Sequence, residues 1–532
     1  MWFGTIKKPL IPLNLDNNTY IFAREVESQM LDLLKTSDSF DCIVLTSELA
    51  NGKSCIMKHA AYSLLDAGAP FFFSDYTNST IEELKKIISI PGKKFIFIEN
   101  YNFNDNVLKL FRQIDLRTNR IKLILSARTA IHETVSYKIS RYAGISQDAI
   151  IELNADDLEN SDIERLIQLF DYAGVWDSFR NQTFSRKKVT IRKQYGGYLQ
   201  NVLLDLIKSE QVSREIMALY DSISKNETSI ALLIGICISN LVNLDFSLND
   251  LLSILGINLT QAIRQDTYIR QLVNFQGNSI SIKSSILCKY LISLPKLAPK
   301  VKDVLLRLNL NAEACNRPNR IEAIRNSLIS SSNIGLIFPL SDSTSQKYLI
   351  EYYNALKTID TYKNNQFFWL QFAMACMDIE DFPRAKEYLD ISYEIVREKK
   401  SRFDTYQMDT QTARYYLEST MYSNNCGCAF SSFESAHKLL NQVIYRKQGQ
   451  NHLVFKQVIK YKTFYEAFSD CLTNTQRNKM IQACIVFIDI CQSYLLTGQR
   501  SKGQIRITDD AISSLTDLKQ RLIHDIGESM SQ

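Results

Sequence analysis

The sequence has few of the residues that interrupt regular structure. Only 17 of its 532 residues are glycine and 9 are proline, whereas 45% are hydrophobic and 22% are charged. Such a composition leaves little room for linkers or low-complexity segments and is typical of folded globular chains. Because the chain is too long for one hydrophobic core, roughly three to four domains are expected.

An excess of charge of one sign is also missing. The formal net charge is +5, which is too small for a global basic field of the kind that indicates a nucleic-acid or membrane surface. The opening residues lack the continuous apolar region of a signal peptide, and the most apolar run, residues 230–242, is shorter than a bilayer requires. We therefore predict a cytoplasmic protein without a membrane partner.

Metal-site spacing is absent as well. The 11 cysteines are scattered, and no C-x-x-C pair is present, so half of a zinc site cannot be assembled from neighbouring residues. Three of the histidines, His132, His437 and His524, lie far apart in sequence. This cysteine usage fits a reducing compartment.

Short apolar runs alternate with amphipathic stretches between residues 41 and 153. The runs are residues 42–46, 71–73, 94–98, 122–125 and 150–153. Such alternation predicts a parallel sheet covered by helices. We assign residues 1–153 to this α/β domain.

The first run leads into a loop of the phosphate-binding type. Residues 47–55 read SELANGKSC and precede a helical pattern, which is the context of the motif G-x-x-x-x-G-K-[ST]. The loop amides and the helix N-terminus can hold phosphates, Lys53 can reach the β and γ oxygens, and Ser54 can ligate Mg²⁺. Ser47 replaces the first glycine, and a glycine-lysine-serine sequence alone also fits an ordinary helix N-cap. The predicted nucleotide-binding residues of the loop are Asn51, Gly52, Lys53, Ser54 and Cys55.

A carboxylate and an arginine follow two later apolar runs. Glu99 comes directly after residues 95–98, and Arg128 ends the run of residues 123–128. Because the carboxyl ends of parallel strands meet at one edge of a sheet, Glu99 is expected beside the metal with Ser54, and Arg128 at the same edge.

These features resemble the STAND NTPases, relatives of the AAA+ ATPases. Residues 21–27, IFAREVE, are similar to the family's opening F-x-G-R-E-x-E, and residues 123–128 resemble its sensor-1 strand. The resemblance implies ATP or ADP as the ligand together with Mg²⁺. It places Arg24 near the base and ribose, and it assigns Glu99 and Arg128 the catalytic roles of supporting the metal and sensing the γ-phosphate.

One departure from the family pattern concerns hydrolysis. The family's Walker B strand ends in two acidic residues, whereas this chain has Glu99 and Asn100. An amide cannot act as a general base toward water. We expect ATP hydrolysis to be slow or absent, so enzymatic activity is not assigned.

The middle of the chain resembles two further parts of STAND proteins. Residues 154–222, with predicted helices over 162–173 and 199–207, are similar to the helical lid. Residues 223–298 resemble a winged helix, with predicted helices over 248–255, 259–275 and 285–292 and a β wing over 278–282. Ser284 stands where many relatives carry a phosphate-reading histidine, so that sensor is expected to be lost. Arg264 and Arg270 would be the DNA-reading residues of the helix over 259–275.

Helical periodicity dominates residues 299–532, which we assign to a TPR-like α-solenoid. The clearest repeat places large and small residues at TPR packing positions; these are Trp369, Phe372, Ala373, Ala385, Leu389 and Ser392. Phe382 and Pro383 mark its predicted turn. A solenoid presents a concave surface that suits recognition of a partner.

The whole arrangement predicts a nucleotide-gated switch. The helical repeats would bind a protein trigger or an effector chain, and the nucleotide state would control assembly into a homo-oligomer or hetero-complex. Bacterial proteins that it resembles act in antiphage defence, usually with an effector domain ahead of the NTPase. Here we expect either that the effector lies on another chain or that this chain is a truncated or regulatory member. Two alternatives remain: a winged-helix transcription regulator, and a scaffold whose P-loop has decayed, as Ser47, Asn100 and Ser284 suggest. A measurement of nucleotide binding would distinguish the switch, which must bind a nucleotide, from the scaffold, which does not.

Overall fold

The chain folds into two compact units that divide between Leu294 and Pro295. The computed structural model describes residues 22–73, 79–174, 176, 179, 181–258, 267–276, 278–315, 320–398, 404–447, 452–496 and 502–531. In these residues, all strands belong to the N-terminal unit, and the C-terminal unit consists of helices and turns.

Five parallel strands form the main sheet of the N-terminal unit, in the order β2-β3-β4-β1-β5. Their bounds are Cys42–Thr46 (β1), Ala69–Phe73 (β2), Lys94–Ile98 (β3), Ile121–Ala127 (β4) and Ile150–Asn154 (β5). Each apolar run of the sequence lies in one of these strands, so the predicted parallel sheet is confirmed. The three central strands are buried at every position, as expected of strands covered on both faces.

Helices cover both faces of this sheet. They are α1 (Glu25–Thr36), α2 (Lys53–Ser63), α3 (Thr80–Ser89), α4 (Asp105–Phe111) and α5 (Thr129–Val135). Met30 of α1 and Met57 of α2 pack on one face, whereas Leu84 of α3 packs on the other. Successive side chains of a strand alternate between the two layers: Val44 lies in the layer of α3, and Leu45 in that of α1 and α2. The domain is therefore a three-layer α/β sandwich.

Four helices follow the sheet in the region predicted as a lid. They are α6 (Asn160–Ala173), α7 (Phe184–Lys193), α8 (Leu199–Ile207) and α9 (Glu210–Ile223). A capping box begins α6, because Glu159 and Asp162 each accept a hydrogen bond from the other's backbone amide. The observed bounds of α8 agree with the prediction.

The next region combines helices with a small hairpin. Its elements are α10 (Glu227–Leu241), α11 (Leu248–Leu255), α12 (Thr267–Leu272), the antiparallel strands β6 (Val273–Gln276) and β7 (Ser279–Ile282), and α13 (Ser285–Ile292). The helix predicted over 259–275 is wrong at its end, because it stops at Leu272 and β6 follows. Val273 and Phe275 are strand-forming residues that precede a Gly-Asn turn signal in the sequence. Arg264 lies outside the described residues, and Arg270 is exposed.

The C-terminal unit is a succession of helices. They are α14 (Ala298–Leu310), α15 (Ile321–Ile329), α16 (Ser331–Ile337), α17 (Ser343–Leu356), α18 (Asp360–Lys363), α19 (Gln366–Asp378), α20 (Phe382–Glu398), α21 (Tyr406–Ser423), α22 (Cys426–Arg446), α23 (His452–Val458), α24 (Lys460–Phe468), α25 (Asn474–Leu496) and α26 (Lys502–Ser531). The expected helical region is thus confirmed in its described residues.

The predicted repeat corresponds to the hairpin of α19 and α20. The Tyr388 ring lies 5.3 Å from the Trp369 ring and 4.3 Å from the Phe372 ring, and Ala373 and Ala385 are fully buried. Small residues let the two helices approach while the aromatic rings fill the remaining space. The chain turns before Phe382, which begins α20, so Phe382 and Pro383 are not the turn itself; proline suits a first helical turn.

Two features of this unit were not predicted. Residues 452–468 form two helices, α23 and α24, rather than one continuous helix, and a 3₁₀ turn over Ser469–Cys471 follows them. Cys426 and Cys471 form a disulfide with a Cα–Cα distance of 5.6 Å. Because 45 residues separate the two cysteines, no local spacing marks the pair, and the disulfide departs from the reducing compartment that the scattered cysteines predicted.

One helix of the C-terminal unit has the composition of a membrane span. Within the described ranges, α25 alone is long and apolar enough to cross a bilayer. Its Met480, Phe487 and Cys491 are buried in the core of the helical unit. A core helix passes the same test of length and composition, so this feature does not assign a membrane location.

A half-buried histidine makes the stability of the helical unit sensitive to acid. His437 contacts the Tyr461 hydroxyl at 3.1 Å and the Asn441 amide at 2.9 Å, among the rings of Phe433 and Phe487. Burial lowers the pKa of His437 to about 4 from its usual 6.5. Above pH 6.5 the side chain is neutral in both the folded and the unfolded chain. Between pH 6.5 and 4 the unfolded chain binds a proton that the folded chain does not. The free energy of unfolding therefore decreases as the pH falls.

We expect this difference to cost on the order of 2 to 3 kcal/mol of unfolding free energy by pH 4. His437→Gln should remove that part of the loss because glutamine does not titrate. Urea unfolding of both proteins from pH 7 to pH 4 measures it, with the exposed His524 changed to glutamine as a control. Parallel pH profiles for wild type and His437→Gln would contradict the assignment.

Candidate nucleotide-binding site

The phosphate-type loop connects the end of β1 to the start of α2. Among the described residues of the loop, Ala50 and Gly52 have positive φ values of 66° and 86°, and Ser47 does not. A residue with an ordinary φ needs no glycine. The replacement of the motif's first glycine by Ser47 is therefore compatible with the loop's backbone.

The left-handed residues of the loop predict a pair of opposite stability effects. Ala50→Gly should stabilise the protein by about 1 kcal/mol, and Gly52→Ala should destabilise it by about 1 kcal/mol, because only glycine adopts positive φ without steric cost. A Cβ at Gly52 would lie 3.8 Å from Leu199 Cδ2, an ordinary contact, so the cost comes from the backbone alone. Thermal unfolding measures both changes in stability. A shift of the melting temperature in the same direction for the two variants would contradict the loop geometry.

Lys53 folds back over the loop. Its Nζ donates to the carbonyl oxygen of Ser47, to the Ser47 hydroxyl at 3.1 Å and to the carbonyl oxygen of Glu48 at 3.4 Å. Burial, with a further contribution from the charge of Arg128, lowers the pKa of Lys53 to about 8. The ammonium group thus interacts with oxygen dipoles and carries an incompletely compensated charge.

Ser54 and Glu99 meet as the sequence predicted. The Ser54 hydroxyl donates to Glu99 Oε2 at 2.8 Å, although 45 residues separate the two positions. A hydroxyl and a carboxylate oxygen side by side are ligands that Mg²⁺ accepts. Both residues therefore fit a metal next to the loop.

Asn100 follows Glu99 in the left-handed region, with φ 47°. Asparagine tolerates this conformation better than most residues. Its side chain is exposed, at the edge where a general base is expected.

Arg128 extends from the end of β4 to the end of α10. Its Nη1 donates to the carbonyl oxygen of Leu241 at 2.5 Å, and its Nη2 donates to that of Asn240. The last carbonyls of a helix lack partners within the helix and carry partial negative charge. Burial lowers the pKa of Arg128 to about 10, while the charge of Glu48 opposes that shift.

Lys53 and Arg128 together make the site electropositive. Within the described part of the chain, neither side chain has a carboxylate oxygen at ion-pair distance. Two half-buried cations that lack a paired carboxylate favour an anion of multiple charge. A polyphosphate has this charge, and the loop amides at the start of α2 provide matching donors.

The comparisons with known proteins give structural likeness only. No protein-family profile and no curated protein matches the sequence significantly. A STAND protein with a tetratricopeptide repeat sensor from Pyrococcus horikoshii shares 12% identity over 95% of this chain and 80% of its own length, with a TM-score of 0.28.

Two further solved structures are similar over shorter stretches. A Walker-type ATPase of Pyrococcus abyssi matches at 13% identity, covering 51% of this chain and 97% of its own, with a TM-score of 0.24. Cdc6p of Pyrobaculum aerophilum matches at 10% identity, covering 57% and 95%, with a TM-score of 0.25. These TM-scores are too low to support a fold assignment. The assignment rests instead on the strand order, the loop and the Ser54–Glu99 contact. These features give the N-terminal unit the fold of a P-loop NTPase.

Arg24 contacts the backbone of the phosphate loop. It is 2% exposed, and its guanidinium donates to the carbonyl oxygens of Asn51 at 3.2 Å, Ala155 at 2.8 Å and Asp157 at 2.6 Å. It also lies 3.4 Å from Asp162. Arg24 thus fixes the loop against the segment before α6, and direct contact with base or ribose stays a prediction.

The remaining predicted residues have different surroundings. Asn51 is buried, and its Oδ1 accepts from the Gln200 amide at 3.1 Å, so its side chain is held by contacts within the protein. Cys55 is an exposed thiol on the first turn of α2. Ser284 accepts from the Leu287 amide at 3.4 Å and caps α13, which places it outside the contacts of the loop.

Sequence reasoning missed two residues of this edge, Asp156 and Thr129. Asp156 accepts hydrogen bonds from the Glu48 amide at 2.5 Å and from Thr129 Oγ1 at 2.6 Å. It follows β5 closely, as Glu99 follows β3, so the rule that polar residues at carboxyl strand ends converge would have found it.

Proposed function

We propose that this protein is a nucleotide-dependent switch that binds ATP or ADP together with Mg²⁺ at the phosphate loop. The observation that carries the proposal is the pair of half-buried cations, Lys53 and Arg128, beside the Ser54–Glu99 contact. All four groups come from the carboxyl edge of the sheet, where ligands of open α/β sheets bind.

Each side chain has a defined task in this proposal. Lys53 and the loop amides hold the phosphates, and Ser54 and Glu99 hold the metal. When bound, Mg²⁺ neutralises charge on the phosphate oxygens and orients them. Asn100 supplies no base, so we propose slow hydrolysis, which suits a switch that must persist in one state.

Arg128 gives this site a means of switching. Its Nη1 and Nη2 donate to the carbonyls at the end of α10, and three further N–H groups of the guanidinium can donate to a phosphate oxygen. We propose that a terminal phosphate changes the position of Arg128 and thereby its contact with α10. Any difference in affinity between the two arrangements shifts their populations.

The helical unit is the proposed receptor for a protein trigger or an effector chain. Extended helical surfaces suit such recognition, and the polyphosphate-directed groups lie in the N-terminal unit. We propose that the ATP-bound chain assembles into a homo-oligomer or hetero-complex and that the system acts in the cytoplasm of bacteria in antiphage defence. Neither a membrane nor direct nucleic-acid contact enters this proposal.

Sedimentation of the full chain tests the switch. We expect a larger species with a non-hydrolysable ATP analogue and Mg²⁺ than with ADP or without nucleotide. Arg128→Ala should abolish this difference because the variant cannot discriminate the terminal phosphate, whereas Arg141→Ala, which changes an exposed arginine, should retain it.

If the sedimenting species of Arg128→Ala changes with nucleotide in the same way as that of the wild type, Arg128 does not take part in the switch. No nucleotide binding at all would leave the scaffold with a decayed P-loop as the better reading.

A further inference from the structure

The carboxylate of Asp156 lies at the centre of the hydrogen-bond network behind the phosphate loop. Its Oδ1 accepts from the Glu48 amide at 2.5 Å and from Asn51 Nδ2 at 2.9 Å. Its Oδ2 accepts from Thr129 Oγ1 at 2.6 Å and from Asn154 Nδ2 at 3.0 Å. Four accepted bonds saturate the acceptor capacity of an ionised carboxylate.

The partners of Asp156 belong to separate parts of the site. Glu48 and Asn51 lie near the two ends of the phosphate loop, and Thr129 is the residue after Arg128. Asp156 therefore links the loop directly to the turn that carries Arg128. One further hydrogen bond joins the same two segments, because Glu48 Oε1 accepts from the Ala130 amide at 2.9 Å, and β1 pairs with β4.

The segment that carries Asp156 is itself held to the loop. Arg24 donates to the Asn51 carbonyl and to the carbonyls on both sides of Asp156, those of Ala155 and Asp157. Asn51 in turn accepts from the Gln200 amide at the start of α8. The backbone on both sides of Asp156 is therefore fixed by hydrogen bonds, and it continues into α6.

We infer that Asp156 is a positioning residue of the nucleotide site: it sets the conformation of the phosphate loop and holds that loop in register with Arg128. This inference rests on the proposed function, because it assigns Asp156 a role at the same nucleotide site.

Electrostatics alone would give Asp156 the opposite effect. A carboxylate behind a phosphate-binding loop repels a polyphosphate, so removal of its charge should strengthen nucleotide binding if charge were its only contribution. Positioning predicts weaker binding, since displaced loop amides no longer point at the phosphates. The sign of the change therefore separates the two roles.

The test compares three variants of the full chain by calorimetry with Mg²⁺ and ATP. Asp156→Ala removes all four bonds and should lower the affinity at least tenfold. Asp156→Asn keeps one acceptor oxygen and the shape of the side chain, so it should recover part of the loss. Asp157→Ala removes a neighbouring exposed carboxylate, whose side chain makes none of these contacts, and should bind like wild type.

A double-mutant cycle provides a second readout that general destabilisation would not produce. Thr129→Val removes the hydroxyl that Asp156 accepts from, with little change in shape. If Asp156 holds the Arg128 turn, Thr129→Val should weaken ATP binding in wild type and have less effect in Asp156→Ala. Circular dichroism and thermal unfolding of each variant confirm that the folded state is compared.

The outcomes decide between the inference and the proposed function. Wild type that fails to bind ATP would overturn the proposed function. Wild type that binds, with Asp156→Ala binding equally well or better, would overturn the inference alone. Full additivity of the two substitutions would remove the link to Arg128. Should Asp156→Ala not fold, Asp156→Asn and the cycle built on it carry the same comparison.

Discussion

Replacing Lys53 with alanine is expected to lower the affinity for ATP roughly 100-fold or more, because a charge-assisted contact to phosphate is among the strongest hydrogen bonds that a side chain makes. The loop backbone should persist, since its left-handed positions at Ala50 and Gly52 do not depend on the lysine side chain. Calorimetry with Mg²⁺ and ATP measures the affinity, and circular dichroism confirms the fold.

A matched control for this substitution lies on the same helix. Lys58 of α2 is exposed, so Lys58→Ala removes an equal charge without entering the site. Retained ATP affinity in Lys53→Ala, or an equal loss in Lys58→Ala, would show that the loop does not bind phosphate through this lysine.

Turning Asn100 into aspartate should raise the rate of ATP hydrolysis on the order of 100-fold, because a positioned general base contributes about 10² to 10⁴. The wild-type rate should lie well below the typical enzyme median of about 10 s⁻¹. Aspartate is the better choice than glutamate, since Asn100 has φ 47° and aspartate tolerates this region more readily. Phosphate release at saturating ATP gives both rates.

The control for added charge is Asn106→Asp, on the exposed side of α4. An equal acceleration by both variants would argue against a base at position 100. Fast hydrolysis by the wild type would place the base elsewhere; Asp105 is the next carboxylate, although Lys138 holds it at 2.9 Å.

Much of the α/β core was predictable because its signals are local. Each buried strand appears as a continuous apolar run, and the strand ends carry Glu99 and Arg128 directly. The meeting of Ser54 with Glu99 followed from one general rule about parallel sheets. Helix α8 was found at its observed bounds because its apolar residues recur at helical spacing from Leu199 onward.

What escaped prediction depends on contacts between distant segments. The capture of Arg128 by α10 joins residues more than a hundred positions apart, and no spacing marks it. The same holds for the Cys426–Cys471 disulfide. At residues 273–276 the helical pattern of the preceding residues continues, which led to the prediction of a helix. These residues also suit a strand, and their pairing with β7 decides the observed structure.

The strand order has a consequence for how the protein acquires its site during synthesis. β1, which carries the loop, pairs with β4 and β5 and not with β2, so its neighbours leave the ribosome long after it. Parallel pairing across such separations forms slowly because loop-closure entropy must be overcome first. Lys53 and Arg128 therefore come together only once β4 has docked beside β1, and a nascent chain that ends before β4 has a phosphate loop without Arg128.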